Sequence, residues 1–140
     1  MSSSAVKIVP PEEVGKNTTG QTDGMTRKAA LVNVSDKICS STMLADPHTS
    51  SAIHHHGHLD TIVYALRGSG GTLIWGPNPE DKQRLAPGSH ALIPAWVEHQ
   101  EANEGEEQVE WIIVRSGREP VVVNLPKGWG SSKEEGDGKQ

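Results

Sequence analysis

The chain reads as an all-β single domain on three observations. Short runs rich in Val, Ile, Leu and Thr recur between turn signals at near-regular spacing, the pattern of a β-sandwich or barrel. No apolar period of 3.6 residues lasts long enough for a substantial helix. The apolar residues, 34% of the 140, include no Phe, so the core rests on Val, Ile, Leu and Ala, a mixture that favours strands. One core is expected at this length, burying roughly two-thirds of the surface that the unfolded chain exposes.

The elements follow in order. Residues 1–24 are rich in Ser, Thr, Gly, Pro and charge and read as an irregular arm, with one short strand at AVKIVP. The domain proper spans 25–129. Its first strands are AALVNV (29–34) and KICSSTMLA (37–45), and the alternation of the second makes Cys39 a buried thiol rather than a nucleophile. SSAIHHH (50–56) and TIVYALR (61–67) come next. In the latter, period two puts Thr61, Val63 and Ala65 on one face and Ile62, Tyr64 and Leu66 on the other. Gly68-Ser69-Gly70-Gly71 permits a tight reversal into GTLIWG (71–76), and GPNPED makes a longer turn into KQRLA (82–86). HALIPA (90–95), EHQEAN (98–103), QVEWIIVR (108–115) and PVVVNL (120–125) complete the set, with NEGEE as a polar loop. The segment 130–140 is Gly-rich, charged and free of apolar residues, hence expected to be disordered.

Composition narrows the functions. A net charge of −5 and scattered Lys and Arg give no basic field for a phosphate backbone, so no nucleic acid is expected as partner. No stretch approaches the roughly 20 apolar residues of a membrane span, and the N-terminus lacks the apolar run of a secretory signal. A soluble, cytoplasmic protein is expected, and the single Cys39 agrees with a reducing compartment.

Four of the seven histidines fall between His54 and His58. On a strand, His54 and His56 project from the same face while His55 points away, so two imidazoles converge on half of a metal site. Further ligands come from His58, Asp60 or Thr61 nearby, or from His99 in a second β-rich stretch. Three imidazoles with a carboxylate suit one divalent ion per chain, among Zn, Fe, Ni, Cu and Mn. The bland alternative is an exposed histidine-rich loop that binds metal only adventitiously.

Both stretches together resemble the cupin family, whose motifs have the forms G-x5-H-x-H-x3 or 4-E-x6-G and G-x5-P-x-G-x2-H-x3-N. Gly88, Pro94, His99 and Asn103 fall at the spacing of the second motif, with Trp96 where the family usually has Gly. His54, His56 and Gly68 fall at the spacing of the first, whose leading Gly is absent. The resemblance implies a jelly-roll barrel (a double-stranded β-helix) with the metal between the histidine strands. At the family's glutamate stands Thr61 by the four-residue count or Asp60 by the three-residue count, and carboxylate chemistry favours Asp60 as fourth ligand beside His54, His56 and His99, with His58 as rival.

The same resemblance implies a metal-dependent enzyme on a small carbonyl or phenolic, polyketide-like substrate, acting by oxygenation, cyclisation or isomerisation. A non-enzymatic module binding a small ligand or metal is the alternative. Asp60 and Glu101, which shares the parity of His99, are the carboxylates placed to move a proton. Trp96, Tyr64 and Ala65 are candidates to line a substrate pocket, and Arg27, Lys28 and Arg115 to attract a carboxylate or enolate. Homodimerisation is expected through the apolar runs PVVVNL and AALVNV.

Overall fold

The computed structural model describes residues 5–16 and 23–132. A five-stranded antiparallel sheet has the order β1-β2-β10-β5-β8, from β1 (Met25–Leu31), β2 (Ile38–Ala45), β10 (Val109–Ser116), β5 (Thr61–Arg67) and β8 (His90–Ile93). A four-stranded sheet has the order β3-β9-β6-β7, from β3 (Thr49–Ser50), β9 (Gln100–Asn103), β6 (Gly71–Ile74) and β7 (Lys82–Arg84). β4 (His54–His55) pairs with β11 (Val123–Asn124). The fold is all-β, as the sequence predicts, and a 3-10 turn at Pro11–Glu13 precedes the first strand.

Burial follows the alternation. Thr61, Val63 and Ala65 are buried, while Ile62 and Leu66 are exposed and Tyr64 is half-buried. The core joins Met25, Met43, Ala45, Val63, Ala65, Leu73, Leu85, Ile93, Val109, Trp111 and Ile113. Trp111 is fully enclosed, and Gly71 is small because a Cβ there would lie 2.8 Å from the indole. The reversal before β6 rests on Gly68, whose φ is +91° and whose missing Cβ leaves room for the Gln108 carbonyl.

Several expectations about the elements change. The first strand begins at Met25, four residues before the run AALVNV, because Arg27 turns inward toward a buried carboxylate and hides the apolar alternation. SSAIHHH divides into β3 and β4, with Ser51–Ile53 joining them. No strand forms at AVKIVP among the described residues. Of the tail 130–140, expected to be disordered, residues 130–132 are described and tied to Glu98, which accepts from the Gly130 and Ser132 N–H groups, and 133–140 lie outside the described residues, as does part of the irregular arm.

Candidate metal centre

The two histidine stretches meet through a backbone bridge. His54 N–H donates to the His99 carbonyl at 3.0 Å, and His99 N–H donates back to His54 at 2.8 Å. That bridge stacks β4 on the start of β9 and brings imidazoles from both ends of the chain's middle into one place. His54, His56, His99 and Glu101 offer ligand atoms that all lie within 4.8 Å of one another, and all four residues are buried.

The spacing His99-x-Glu101 repeats that of His54-x-His56, so both pairs project from one face of their strands. Glu101 Oε2 lies 3.0 Å from His54 Nε2 and 2.9 Å from His99 Nε2, and its Oε1 accepts from Arg27 at 3.3 Å. Burial alone would raise the Glu101 carboxyl, but the contacts with His54 and His99 outweigh it and hold the group well below the usual carboxylate range. Burial likewise opposes charge on His54, and Glu101 reverses that effect, so His54 is raised. At His56 the Glu101 charge is outweighed: burial first, then the Arg115 charge, push it down to about 2.

The donor set fits a cation. His54 Nδ1 donates to the Ala52 carbonyl at 2.7 Å and His99 Nδ1 to the Val97 carbonyl at 2.9 Å, which aims both Nε2 atoms at Glu101. His56 Nε2 lies 3.0 Å from His99 Nε2. If His99 Nε2 carries a proton toward Glu101, the contact with His56 needs a second acceptor; if His56 donates to His99, the contact between His99 and Glu101 has no proton. Protons alone do not satisfy all three contacts, whereas a divalent ion would accept the lone pairs of His54 Nε2, His99 Nε2 and the Glu101 carboxylate.

Asp60 departs from its expected place as fourth ligand. It is exposed, its Oδ1 accepts the Ala95 N–H at 2.9 Å, and its backbone is held to Ser116, so it braces the 94–96 turn rather than the histidines. His58 is exposed on the turn that leaves β4 and is not in the four-residue cluster. At the family's glutamate count, Thr61 points inward with its hydroxyl 3.4 Å from His56 Nδ1. The carboxylate that stands with the three histidines in the cluster is that of Glu101. The sequence showed that Glu101 shares the parity of His99; its place in the cluster follows from the repeated H-x-H and H-x-E spacing.

A cavity of about 350 Å³ opens beside His99, with walls that include Leu73, Leu85, Ile93, Val97, Trp75 and Gln83. Tyr64, Ala65 and Trp96 do not line it. Tyr64 lies on the outer face against His90, Ala65 is closed into the core, and Trp96 is exposed with its ring 5.5 Å from that of His55. Trp96 has φ of +70°, which explains why the motif favours Gly there. Asn103, the last residue of the motif, is fully buried and donates to the Ala45 and Glu107 carbonyls, so its role is to tie β9 to β2 and to the 104–108 loop.

The family model described as Cupin domain matches residues 41–115, more than half of the chain. The chain belongs to the cupin family. Among solved structures, this cupin is similar to KdgF from Halomonas sp., at 20% identity and a TM-score of 0.66, covering 81% of this chain and 96% of that one. It is also similar to the polyketide cyclase RemF from Streptomyces resistomycificus, at 18% identity and a TM-score of 0.68, covering 86% of each chain. An oxalate decarboxylase mutant from Bacillus subtilis aligns at 16% identity and a TM-score of 0.68, over 81% of this chain and 31% of that one. At these identities the likeness is one of fold. No curated protein sequence matches the chain. No helix among the described residues is long and apolar enough to cross a membrane.

Proposed function

We propose that this cupin is a divalent-metal-dependent enzyme that takes a small, largely apolar carbonyl or phenolic compound and oxygenates, cyclises or isomerises it. One observation carries the reading: a cavity of about 350 Å³ with mostly apolar walls ends on His99, one of four buried donors aimed at one point. His54, His56, His99 and Glu101 would hold the ion. When bound, it would supply Lewis-acid polarisation of a carbonyl or phenolate oxygen, or a place for O2 if redox-active. Arg27 keeps Glu101 Oε1 engaged, which leaves Oε2 for the ion and makes Glu101 a ligand rather than a free base. Leu73, Leu85, Ile93 and Val97 exclude water from the approach to His99 and favour a ring over a sugar. The likeness in fold to RemF, a polyketide cyclase, is in keeping with such a substrate.

Metal analysis of tag-free protein, followed by turnover assays on phenolic and β-dicarbonyl compounds with and without a chelator, tests the reading. Stoichiometric metal and chelator-sensitive turnover are expected. A metal-loaded sample with no turnover across the panel would leave a binding module as the function.

We also propose a homodimer, through the outer face of the five-stranded sheet. Ile62 stands beside Leu92 on β8 and Val114 on β10, and these three are 48%, 63% and 36% exposed. Such an apolar row on a sheet face suits a second copy.

A further inference from the structure

Three of the four donors are prepared for a metal in the usual way, and the fourth is not. Metal-bound histidines ordinarily donate their second ring N–H to a carbonyl or carboxylate. His54 and His99 do so, through Ala52 and Val97. Behind His56, in contrast, stands a guanidinium: Arg115 Nε lies 2.9 Å from His56 Nδ1. A guanidinium has donors only, so His56 Nδ1 accepts, and a neutral ring that accepts at Nδ1 carries its proton on Nε2. That proton sits on the nitrogen that faces the site.

The arrangement is built into the fold. Arg115 is buried at 5% exposure, on the inward face of β10, opposite Cys39 on β2 and Thr61 on β5. Thr61 pairs with Arg115 across the sheet, and its hydroxyl reaches the same Nδ1 at 3.4 Å. Among the described residues no carboxylate forms an ion pair with Arg115; Glu101 acts on it only through the longer-range field.

We propose that Arg115 is a positioning residue that holds His56 in the Nε2–H tautomer, and so makes His56 the weak, exchangeable arm of the metal site. His54, His99 and Glu101 are then the standing anchor, a set of two histidines and one carboxylate. This inference rests on the reading of the cluster as a metal centre. For His56 to join, the ring must move its proton to Nδ1 and Arg115 must turn aside, and both lower its contribution to affinity.

Two measurements test it. In metal-free protein, nitrogen NMR of the imidazoles should show Nδ1–H tautomers for neutral His54 and His99 and an Nε2–H tautomer for His56; an Nδ1–H tautomer at His56 would overturn the proposal without any variant. Competition of Zn2+ against a chromophoric chelator should then show that His54→Ala and His99→Ala weaken binding about 100-fold or more and His56→Ala by about tenfold or less. Arg115→Gln, whose amide carbonyl accepts from Nδ1–H, should tighten binding by about tenfold, the scale of effects behind a metal ligand. Equal losses at the three histidines, or weaker binding in Arg115→Gln with an unchanged melting profile, would overturn it. If Arg115→Gln fails to fold, the histidine series and the tautomers still decide. Absence of Zn2+ binding by the wild-type protein would sink the metal reading and this ranking with it, whereas the tautomer spectrum reads the hold of Arg115 by itself.

Discussion

Glu101 stands where residue chemistry alone would put Asp60, and Asp60 braces the 94–96 turn instead. Glu101→Gln removes the one carboxylate among the four donors, so bound metal should fall by more than about tenfold in affinity, measured by metal content after dialysis. Asp60→Ala should leave metal content unchanged and lower stability by roughly 1 kcal/mol, through loss of its hydrogen bond to the Ala95 N–H. The histidines were legible because period two pairs His54 with His56 and because His99 closes a second motif. Glu101 was legible only in parity: nothing in a linear reading separates a strand carboxylate that turns inward from one that faces water, and Asp60 lay nearer in the chain.

The same residues set a pH response in the metal-free protein. The folded value of His56, about 2, lies below the roughly 6.5 of an unfolded histidine, so between them the unfolded chain binds the extra proton. Stability should therefore fall as pH drops below about 6.5, by up to about 1.4 kcal/mol per pH unit. Glu101 adds to the loss below about 4.3, where an unfolded glutamate protonates. His54 acts at the other limb: its stabilisation is complete below about 6.5 and is lost as pH rises through its raised folded value. Denaturant titrations at pH 7 and pH 5 check this, and His56→Asn should flatten the slope between them.

At the scale of elements, strands with a clean alternation were legible and those with a functional residue on the inner face were not. TIVYALR sorts as expected because every inward position is apolar or small. β1 did not, because Arg27 sits at an inward position for the sake of Glu101. The bend between β3 and β4 follows from tertiary contacts: Ser51 Oγ accepts the Glu101 N–H at 3.0 Å and Ser51 N–H donates to the Glu101 carbonyl, which ends one short pairing and starts the next. Asn103 is the counterpart on β9. Its side chain bonds two carbonyls and the Gly105 N–H, so Asn103→Ala should lower stability by roughly 2–4 kcal/mol in chemical denaturation. Trp96→Gly should do the reverse, raising stability by up to about 1 kcal/mol, since glycine adopts the positive φ without strain and the indole is exposed.

For the molecule as a whole, the barrel and its core were legible from turn spacing and the two motifs, while the surfaces were not. The runs PVVVNL and AALVNV suggested dimer edges, yet only part of each forms a strand, and the broad apolar row lies on β5, β8 and β10. Its members come from three segments far apart in sequence, so no window contains it. Leu92→Lys combined with Ile62→Lys should give a monomer by light scattering at micromolar concentration, with the circular dichroism spectrum unchanged; a wild-type protein that is itself monomeric would rule the face out as a dimer contact.

The bridge between His54 and His99 gives the site a mechanical meaning. Those two residues exchange both backbone hydrogen bonds, and each carries an imidazole that would share one ion. An ion there would act as a rivet through a seam, fastening β4 to the start of β9 at the isolated pair that lies beyond the β3–β9 ladder. Loading would slow opening at this seam, so amide exchange at His54 and His99 would slow as occupancy rises and report it.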